Sequence, residues 1–176
     1  SCDWSSDVCS SDLSILAILL VGIAFSQKMI AQNEKSNNHK IPKYSGCVND
    51  YEEIFDKGEV EELKILINKH KQKTTNEIAI VSTKSFKPFD SLDDYAKELA
   101  NFWNKNNRNF DNGVIIVFGR KLRKIEIYIG SGLKGILTDE EKKKIINEII
   151  LPEFRSRDIH KGIKNGLVEI IKELEK

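Results

Sequence analysis

The chain has 176 residues, of which 40% are hydrophobic and 31% are charged, and this composition indicates a globular rather than a disordered protein. Its 28 basic and 27 acidic residues nearly balance, so no excess of positive charge points to nucleic acid as a partner. The length suits one domain of ordinary size with its own hydrophobic core.

The segment before the domain has the features of an export signal. The apolar run from Leu13 to Phe25 is shorter than the ~20 residues of a spanning helix, and a small-x-small sequence precedes Gln27. The residues ahead of the run are acidic and resemble translated adapter sequence, so we expect them not to be native. The chain therefore divides into a non-native leader over 1–12, a signal core and cleavage site over 13–26, a polar linker over 27–43 and a domain over 44–176.

The signal predicts where the protein acts. We expect an exported protein, periplasmic or extracellular, and membrane-tethered if the signal is uncleaved. After residue 26 the only cysteine is Cys47, which has no intrachain disulfide partner and no evident base beside it. Cys47 is therefore expected to be a small, half-buried side chain.

Hydrophobic periodicity predicts four helices and three strands in the domain. Two of the strands are continuous apolar runs, as in strands covered on both faces, whereas the third alternates and is predicted to be the antiparallel arm of a hairpin. This order predicts a small mixed sheet with helices on both of its faces. The predicted elements are a helix over 57–73, a strand over 78–81, a helix over 91–105, strands over 113–119 and 125–130, and helices over 138–150 and 158–176.

The glycines at Gly130, Gly132 and Gly135 have the G-x-G-x-x-G spacing of a dinucleotide-binding turn. That turn requires the glycines to join a strand directly to a helix, with another strand afterwards. Here residues separate Gly135 from the predicted helix at Thr138, the preceding strand belongs to a hairpin, and no strand is predicted after the helix. We therefore expect no nucleotide cofactor, and we interpret the glycines as a tight loop that lets the backbone approach a neighbour closely.

Five segments of the chain occur in the order found in the TPM domain family, which the chain resembles over about residues 44–174. The resemblance implies a three-layer α/β/α sandwich with a Rossmann-like central sheet, and it implies export or membrane association. Members of the family include proteins assigned acid phosphatase activity, calcium-binding proteins and thylakoid proteins that help to repair photosystem II. The segments are VND at 48–50, TTNEIAIVS at 74–82, DNGVIIVF at 111–118, IYIGSGLKGILTD at 127–139 and PEFRSRDIHKGI at 152–163.

The resemblance also singles out individual residues. Lys134 departs from the family, because many members have an acid at that position. The positions that match polar or glycine positions of the family are Asp50, Asp111, Asn112, Asp139, Gly130, Gly132, Asp158 and Gly162.

The carboxylates of Asp50, Asp111 and Asp139 adjoin the ends of predicted elements, where they can converge on one edge of the sheet. Carboxylate and amide oxygens suit Ca²⁺ or Mg²⁺, and Ca²⁺ tolerates irregular loops better. We therefore expect a Ca²⁺ site, with Mg²⁺ as the alternative, formed by these acids with Asn112 or loop carbonyls. The competing interpretations are structural: Asp111 as a turn former, Asp50 as the cap of a short helix at Tyr51, and Asp139 as a complement to a helix dipole.

Two hypotheses for function follow. In the first, the chain is a secreted or periplasmic domain that binds a divalent cation and serves as an interaction or accessory module for an unknown protein or membrane-associated partner. In the second, it is a weak divalent-metal-dependent acid phosphatase that acts on a small phosphate ester, with the metal lowering the pKa of a bound water. The sequence shows no nucleophile with its base, so it assigns no catalytic residue.

Overall fold

The computed structural model describes residues 41–106 and 108–176, which form a mixed four-stranded sheet with helices on both faces. The strands are β1 (Val48–Asp50), β2 (Glu77–Ser82), β3 (Gly113–Gly119) and β4 (Lys124–Ile129). The helices are α1 (Lys57–Thr74), α2 (Leu92–Asn104), α3 (Asp139–Lys144), a π-helical segment (Ile145–Ile150), α4 (Leu151–Arg155) and α5 (Ile159–Leu174). The predicted α/β/α sandwich is confirmed.

The sheet has the order β1-β2-β3-β4. The first three strands are parallel, and β4 is antiparallel to β3. Ile80 lies in the centre of β2, paired with Val48 on one side and Ile116 on the other. Every residue of β2 and β3 is buried, which explains why these two strands appear in the sequence as unbroken apolar runs.

Alternate side chains of the central strands face two separate cores. Ile78, Ile80 and Ile116 pack with α1, α5 and the π-helical segment on one face. Ala79 and Val117 pack with α2 on the other face. Because successive side chains of a strand point to opposite faces, one apolar run supplies both cores, and the sheet becomes the middle layer of three.

Strand β1 was not expected from the sequence. It has three residues, and only Asn49 is fully buried, so it shows neither an apolar run nor a clear alternation. It exists because it pairs with β2, from Val48 opposite Ile80 to Asp50 opposite Ser82. The helix considered at Tyr51 does not form, since the chain makes a turn there before α1 begins at Lys57.

The helix predicted to end at Ile150 continues to Arg155. The π-helical segment follows α3 directly, and α4 then carries Pro152 in its first turn. Proline is tolerated in the first turn of a helix, because the N–H that it lacks has no partner there. Pro152 therefore stands where the π-helical segment gives way to α4, and the helix continues past it.

The compact unit begins at Ile41, ahead of the predicted boundary at Tyr44. Both residues pack against the core on the α2 side, and the indole Nε1 of Trp103 donates a hydrogen bond of 2.8 Å to the carbonyl oxygen of Pro42. Within the described residues, no helix is both long and apolar enough to cross a membrane. The predicted leader, the signal and most of the linker lie outside the described residues.

Candidate functional site

The direction of the strands separates the predicted site residues into two groups. We call the edge where β1, β2 and β3 end the carboxyl edge, and the opposite edge, where β2 and β3 begin and β4 ends, the amino edge. Asp50 is the last residue of β1 and lies at the carboxyl edge. Asp111 and Asn112 precede Gly113, the first residue of β3, and lie at the amino edge with the loop that follows β4.

Both carboxylate oxygens of Asp50 are occupied by neighbouring groups of the chain. Oδ2 accepts hydrogen bonds from the backbone N–H groups of Ile54 and Phe55 at 2.7 and 2.8 Å. Oδ1 accepts a bond from the hydroxyl of Ser82 at the end of β2. This arrangement fixes the turn between β1 and α1, so Asp50 has the role of a loop anchor in this structure.

Ser82 and Glu52 extend this network across the carboxyl edge. The Ser82 hydroxyl oxygen accepts a bond of 2.9 Å from the backbone N–H of Glu52. The buried carboxylate of Glu52 in turn accepts a bond of 2.6 Å from the backbone N–H of Arg120, at the start of the β3–β4 turn. The other oxygen of Glu52, Oε1, has no hydrogen-bond partner within the described part of the chain. Side chains thus tie the ends of β1, β2 and β3 together.

At the amino edge, the glycine loop packs directly on the Asp111–Asn112 turn. A Cβ atom on Gly130 would collide with the backbone carbonyl oxygens of Phe110 and Asp111. A Cβ atom on Gly132 would collide with the side-chain oxygen of Asn112. The backbone therefore approaches its neighbours closely at Gly130 and Gly132, whereas a Cβ atom on Gly135 would meet nothing within 4 Å. The hairpin that precedes these glycines is antiparallel, as predicted.

The side chain of Asp111 is exposed, and within the described residues a hydrogen bond reaches only one of its two carboxylate oxygens. Its Oδ1 accepts a hydrogen bond of 3.1 Å from the side-chain amide of Asn104, whose own oxygen accepts a bond of 2.6 Å from the N–H of Phe110. Burial and then the nearby charge of Asp111 raise the pKa of Tyr128. Asp111 is therefore a turn residue whose carboxylate is also exposed to solvent.

Asp139 lies at the first position of α3, next to a groove of about 450 Å³. Its Oδ1 is 3.6 Å from Nζ of Lys142, which also bonds to Glu126 at 3.0 Å. Partial burial acts to lower the pKa of Lys142, but the hydrogen bond and charge of Glu126 raise it above its usual value. Three acids and three lysines line this groove, so their charges balance. The acids are Asp93, Glu126 and Asp139, and the lysines are Lys97, Lys134 and Lys142.

The expected convergence of Asp50, Asp111 and Asp139 on one edge of the sheet is wrong. Asp50 follows a parallel strand and Asp111 precedes one, so the two residues lie at opposite edges. Among the residues that the structure describes, no three His, Cys, Asp or Glu side chains lie close enough to hold a metal ion together. The oxygens that lie against the glycine loop at the amino edge are the backbone carbonyl oxygens of Phe110 and Asp111 and the side-chain oxygen of Asn112.

Asp158 and Gly162 have structural roles. The carboxylate of Asp158 accepts a hydrogen bond of 2.9 Å from the N–H of Lys161 and so caps α5. A Cβ atom on Gly162 would meet the ring of Phe154 at 2.9 Å, which shows how closely α4 and α5 approach. These two residues position α4 against α5.

Apart from Asp50, the residues of the carboxyl edge were missed by the sequence analysis. Glu52 stands in an irregular segment after the unrecognised strand β1. The arginines of this edge lie in the β3–β4 turn and around the end of α4, in the sequences RKLRK and FRSRD. The high density of arginine in these two segments was the signal that the sequence offered for a site. Sequence alone does not show that the two segments face each other.

Comparisons with known proteins agree with this fold. A model of the family described as TPM domain matches residues 48–173. The N-terminal domain of a protein from P. gingivalis, solved by NMR, is similar at 25% identity and a TM-score of 0.66, covering 73% of this chain and 82% of that one. No curated protein matches the chain.

Two further NMR structures have the same fold at lower identity. The N-terminal domain of the cg2496 protein from Corynebacterium glutamicum is 18% identical with a TM-score of 0.55, covering 77% of this chain and 83% of that one. The BA42 protein from the psychrophilic bacterium Bizionia argentinensis is 20% identical with a TM-score of 0.59, covering 70% and 83%.

Proposed function

The chain belongs to the TPM domain family, and we propose that it works as an exported accessory module that binds a divalent cation at the amino edge of its sheet. The cation is Ca²⁺ in preference to Mg²⁺. The observation that carries the proposal is the packing of the glycine loop on the Asp111–Asn112 turn.

This packing gathers oxygen atoms in one place. The carbonyl oxygens of Phe110 and Asp111 and the side-chain oxygen of Asn112 contact the glycine loop, and the side chain of Asp111 is exposed beside them. Ca²⁺ accepts carbonyl, amide and carboxylate oxygens in irregular arrangements, whereas Mg²⁺ demands a near-ideal octahedron. A turn that already carries such oxygens therefore favours Ca²⁺.

The proposed ligand set is smaller than the sequence suggested. Asp50 is left out, because it lies at the other edge and its oxygens bind the chain itself. Asp139 is paired with Lys142, so its contribution is reduced. With Asp111 as the main charged ligand, we expect an affinity on the order of 10⁻⁴ to 10⁻³ M, as in extracellular calcium modules.

A titration of the full chain with Ca²⁺, followed by backbone NMR, tests this proposal. Amide signals of Phe110–Gly113 and of Gly130–Leu133 should shift and saturate. Asp111→Ala should abolish the shifts, whereas the control Glu140→Gln, which removes an exposed acid near Asp139, should leave them unchanged. Saturation that survives Asp111→Ala would place the cation elsewhere and refute the proposed site.

A weak metal-dependent phosphatase is the second candidate. It is favoured by the cluster of arginines at the carboxyl edge, since guanidinium groups bind phosphate oxygens in a bidentate manner. Turnover of p-nitrophenyl phosphate that is lost on chelation and restored by a divalent cation would support this candidate. Turnover that persists in excess chelator would contradict metal dependence.

The partner of the module is proposed to be a protein or a membrane-associated component outside the cytoplasm. This proposal follows from the predicted signal over residues 13–26 and from the family resemblance. Secretion of a reporter fused after residue 43, compared with the same fusion lacking residues 13–26, tests export directly.

A further inference from the structure

A second pocket lies at the carboxyl edge of the sheet. The proposed cation site lies at the opposite, amino edge. It has a volume of about 480 Å³ and lies between the β3–β4 turn and α4. This volume falls within the range of small-ligand pockets, about 300–1,000 Å³. The carboxyl ends of parallel strands are also where open α/β sheets bind their ligands. Both size and position suit a ligand site.

The pocket combines positive charge with an apolar wall. Its apolar side chains include Phe154, and none of the residues that line it is acidic. Across residues 41–106 and 108–176, no carboxylate lies within 4.0 Å of any of its arginines, although such ion pairs are common elsewhere in the domain. Its cationic side chains are those of Arg120, Arg123, Lys124, Arg155 and Arg157.

This charge distribution distinguishes the pocket from the groove beside Asp139. In that groove three acids face three lysines, so its charges cancel. In the carboxyl-edge pocket five cations repel one another, and Lys124 also lies 4.9 Å from the centre of the Phe86 ring. The acids Glu59 and Asp158 line the adjoining groove with Arg120 and Arg157, but within the described residues neither acid lies within 4.0 Å of an arginine of the pocket. An anion bound among them would remove the repulsion. The parallel N–H groups of an arginine guanidinium can bind two oxygens of a phosphate-type group at once.

Two of these arginines occupy backbone positions that favour glycine. Arg123 has φ 52° where it closes the β3–β4 turn, and Arg157 has φ 69° just after α4. Left-handed backbone is unfavourable for a residue with a Cβ atom, and glycine or asparagine is the usual choice at such turns and helix ends. Local rules are broken in this way mainly at functional sites. Glu53 and Thr75 have the same left-handed backbone elsewhere in the described residues, so the conformation of the two arginines supports a ligand site only together with the charge of the pocket.

The walls of the pocket are held in place by buried contacts. The carboxylate of Glu52 accepts a 2.6 Å hydrogen bond from the backbone N–H of Arg120. The ring of Phe154 packs against that of Phe118, with 5.8 Å between centroids, and against Gly162. The pocket is thus built on the ends of β1 and β3 and on the α4–α5 contact, and it is preorganised for binding.

We propose that this pocket binds a phosphate-type oxyanion attached to an apolar group, with the oxyanion among the arginines and the apolar group on Phe154. The ligand is either a soluble organophosphate or the headgroup region of an anionic lipid. Binding requires neither hydrolysis nor the cation proposed at the amino edge. The two sites are therefore testable separately.

Phenylphosphonate is a suitable soluble probe, because its carbon–phosphorus bond resists phosphatases and it combines an oxyanion with an aromatic ring. In a titration of the full chain followed by NMR, amide shifts should cluster at 119–125 and 154–159. Arg123→Gly and Arg157→Gly should each weaken binding about tenfold, as expected for loss of a charge-assisted hydrogen bond, and the double variant should weaken it further. Because glycine suits both backbones, neither variant should melt at a lower temperature.

Two controls separate pocket binding from general attraction. Lys121→Gln removes an equal charge from the same turn, but Lys121 does not line the pocket, so this variant should bind as the parent does. Asp111→Ala should also bind phenylphosphonate normally, even if it loses Ca²⁺. An equal loss in Lys121→Gln and the arginine variants would overturn the proposal, as would unchanged affinity in the double variant.

Sedimentation with vesicles identifies the source of the oxyanion. Vesicles of phosphatidylcholine with and without phosphatidylglycerol are compared for the parent and the double variant. Binding that requires phosphatidylglycerol and is lost in the double variant supports a lipid headgroup. Saturable phenylphosphonate binding without vesicle binding supports a soluble ligand. Failure of both probes overturns the proposal.

Discussion

Asp50 and Ser82 are the paired last residues of two parallel strands, and the Ser82 hydroxyl donates a hydrogen bond of 2.5 Å to Oδ1 of Asp50. The Ser82 oxygen also accepts the N–H of Glu52, while Asp50 accepts two further backbone N–H groups. One carboxylate and one hydroxyl thus satisfy three backbone donors of a turn that has no secondary structure of its own.

We predict that Asp50→Ala lowers the free energy of unfolding by about 2–4 kcal/mol, because three hydrogen bonds to one charged group are lost. Ser82→Ala should cost about 1–2 kcal/mol. Urea denaturation measures both values, and Asp90→Ala, which removes an exposed acid, serves as the control. If Ca²⁺ binding is lost in a folded Asp50→Ala protein, the assignment of Asp50 as a loop anchor is incomplete.

The glycine loop allows a matched comparison of three alanine substitutions. Gly130→Ala places a Cβ atom against two backbone carbonyl oxygens, which cannot move aside, and should destabilise the domain by about 2 kcal/mol or more. Gly132→Ala meets the more mobile side chain of Asn112 and should cost less. Gly135→Ala meets no atom within 4 Å and should be neutral or slightly stabilising. Equal effects at the three positions would show that the loop does not pack as described.

The capping box of α3 should contribute to stability in a pH-dependent manner. The backbone N–H and then the hydroxyl of Thr138 lower the pKa of Glu141. A carboxyl group with a lowered pKa in the folded state stabilises it above the unfolded pKa of about 4.3, and this contribution is lost as the pH falls through the folded value. Glu141→Gln should therefore destabilise the protein at pH 7, and this difference should disappear near pH 3, as followed by thermal unfolding. A difference that is independent of pH would contradict a role for the ionised carboxylate.

The start of the domain can be located by truncation. A chain that begins at Ile41 should melt as one that begins at Gln27 does. A chain that begins at Tyr44 should lose about 1–3 kcal/mol, because the buried indole N–H of Trp103 loses its partner on Pro42. Equal melting of all three chains would show that the Trp103–Pro42 contact has no influence on stability.

The regular elements were predictable from the sequence wherever side chains alone decide the structure. The buried runs of β2 and β3 lie where their apolar sequences predict them, and the helices predicted from residues 91 and 138 begin there, capped by Ser91 and Thr138. Strand β1 was missed because its formation depends on pairing with β2, a contact distant in sequence, and not on its own three residues. Pairing of this kind leaves no periodic signal in a short segment.

The site residues were harder to predict, for a related reason. A residue at the end of an element can lie at either edge of a sheet, and the edge depends on strand direction. Because β1 was not recognised, the sequence did not show that Asp50 follows a parallel strand whereas Asp111 precedes one. Both residues were identified as candidate polar positions, but their location at opposite edges of the sheet was not predicted.

The π-helical segment makes this region tolerant of the loss of one residue. Each π turn holds about one residue more than an α turn, and the N–H of Leu151 bonds to the carbonyl of Ile146 accordingly. Deleting one residue, such as the exposed Asn147, would leave a regular α-helix that turns through about the same total angle, because the wider turn takes up the extra residue. Phe154 would then stay beside Gly162, and Arg155 would keep its direction toward the pocket. Gene lineages of this domain should accordingly tolerate a single-codon deletion at Asn147 better than one within α1 or α5.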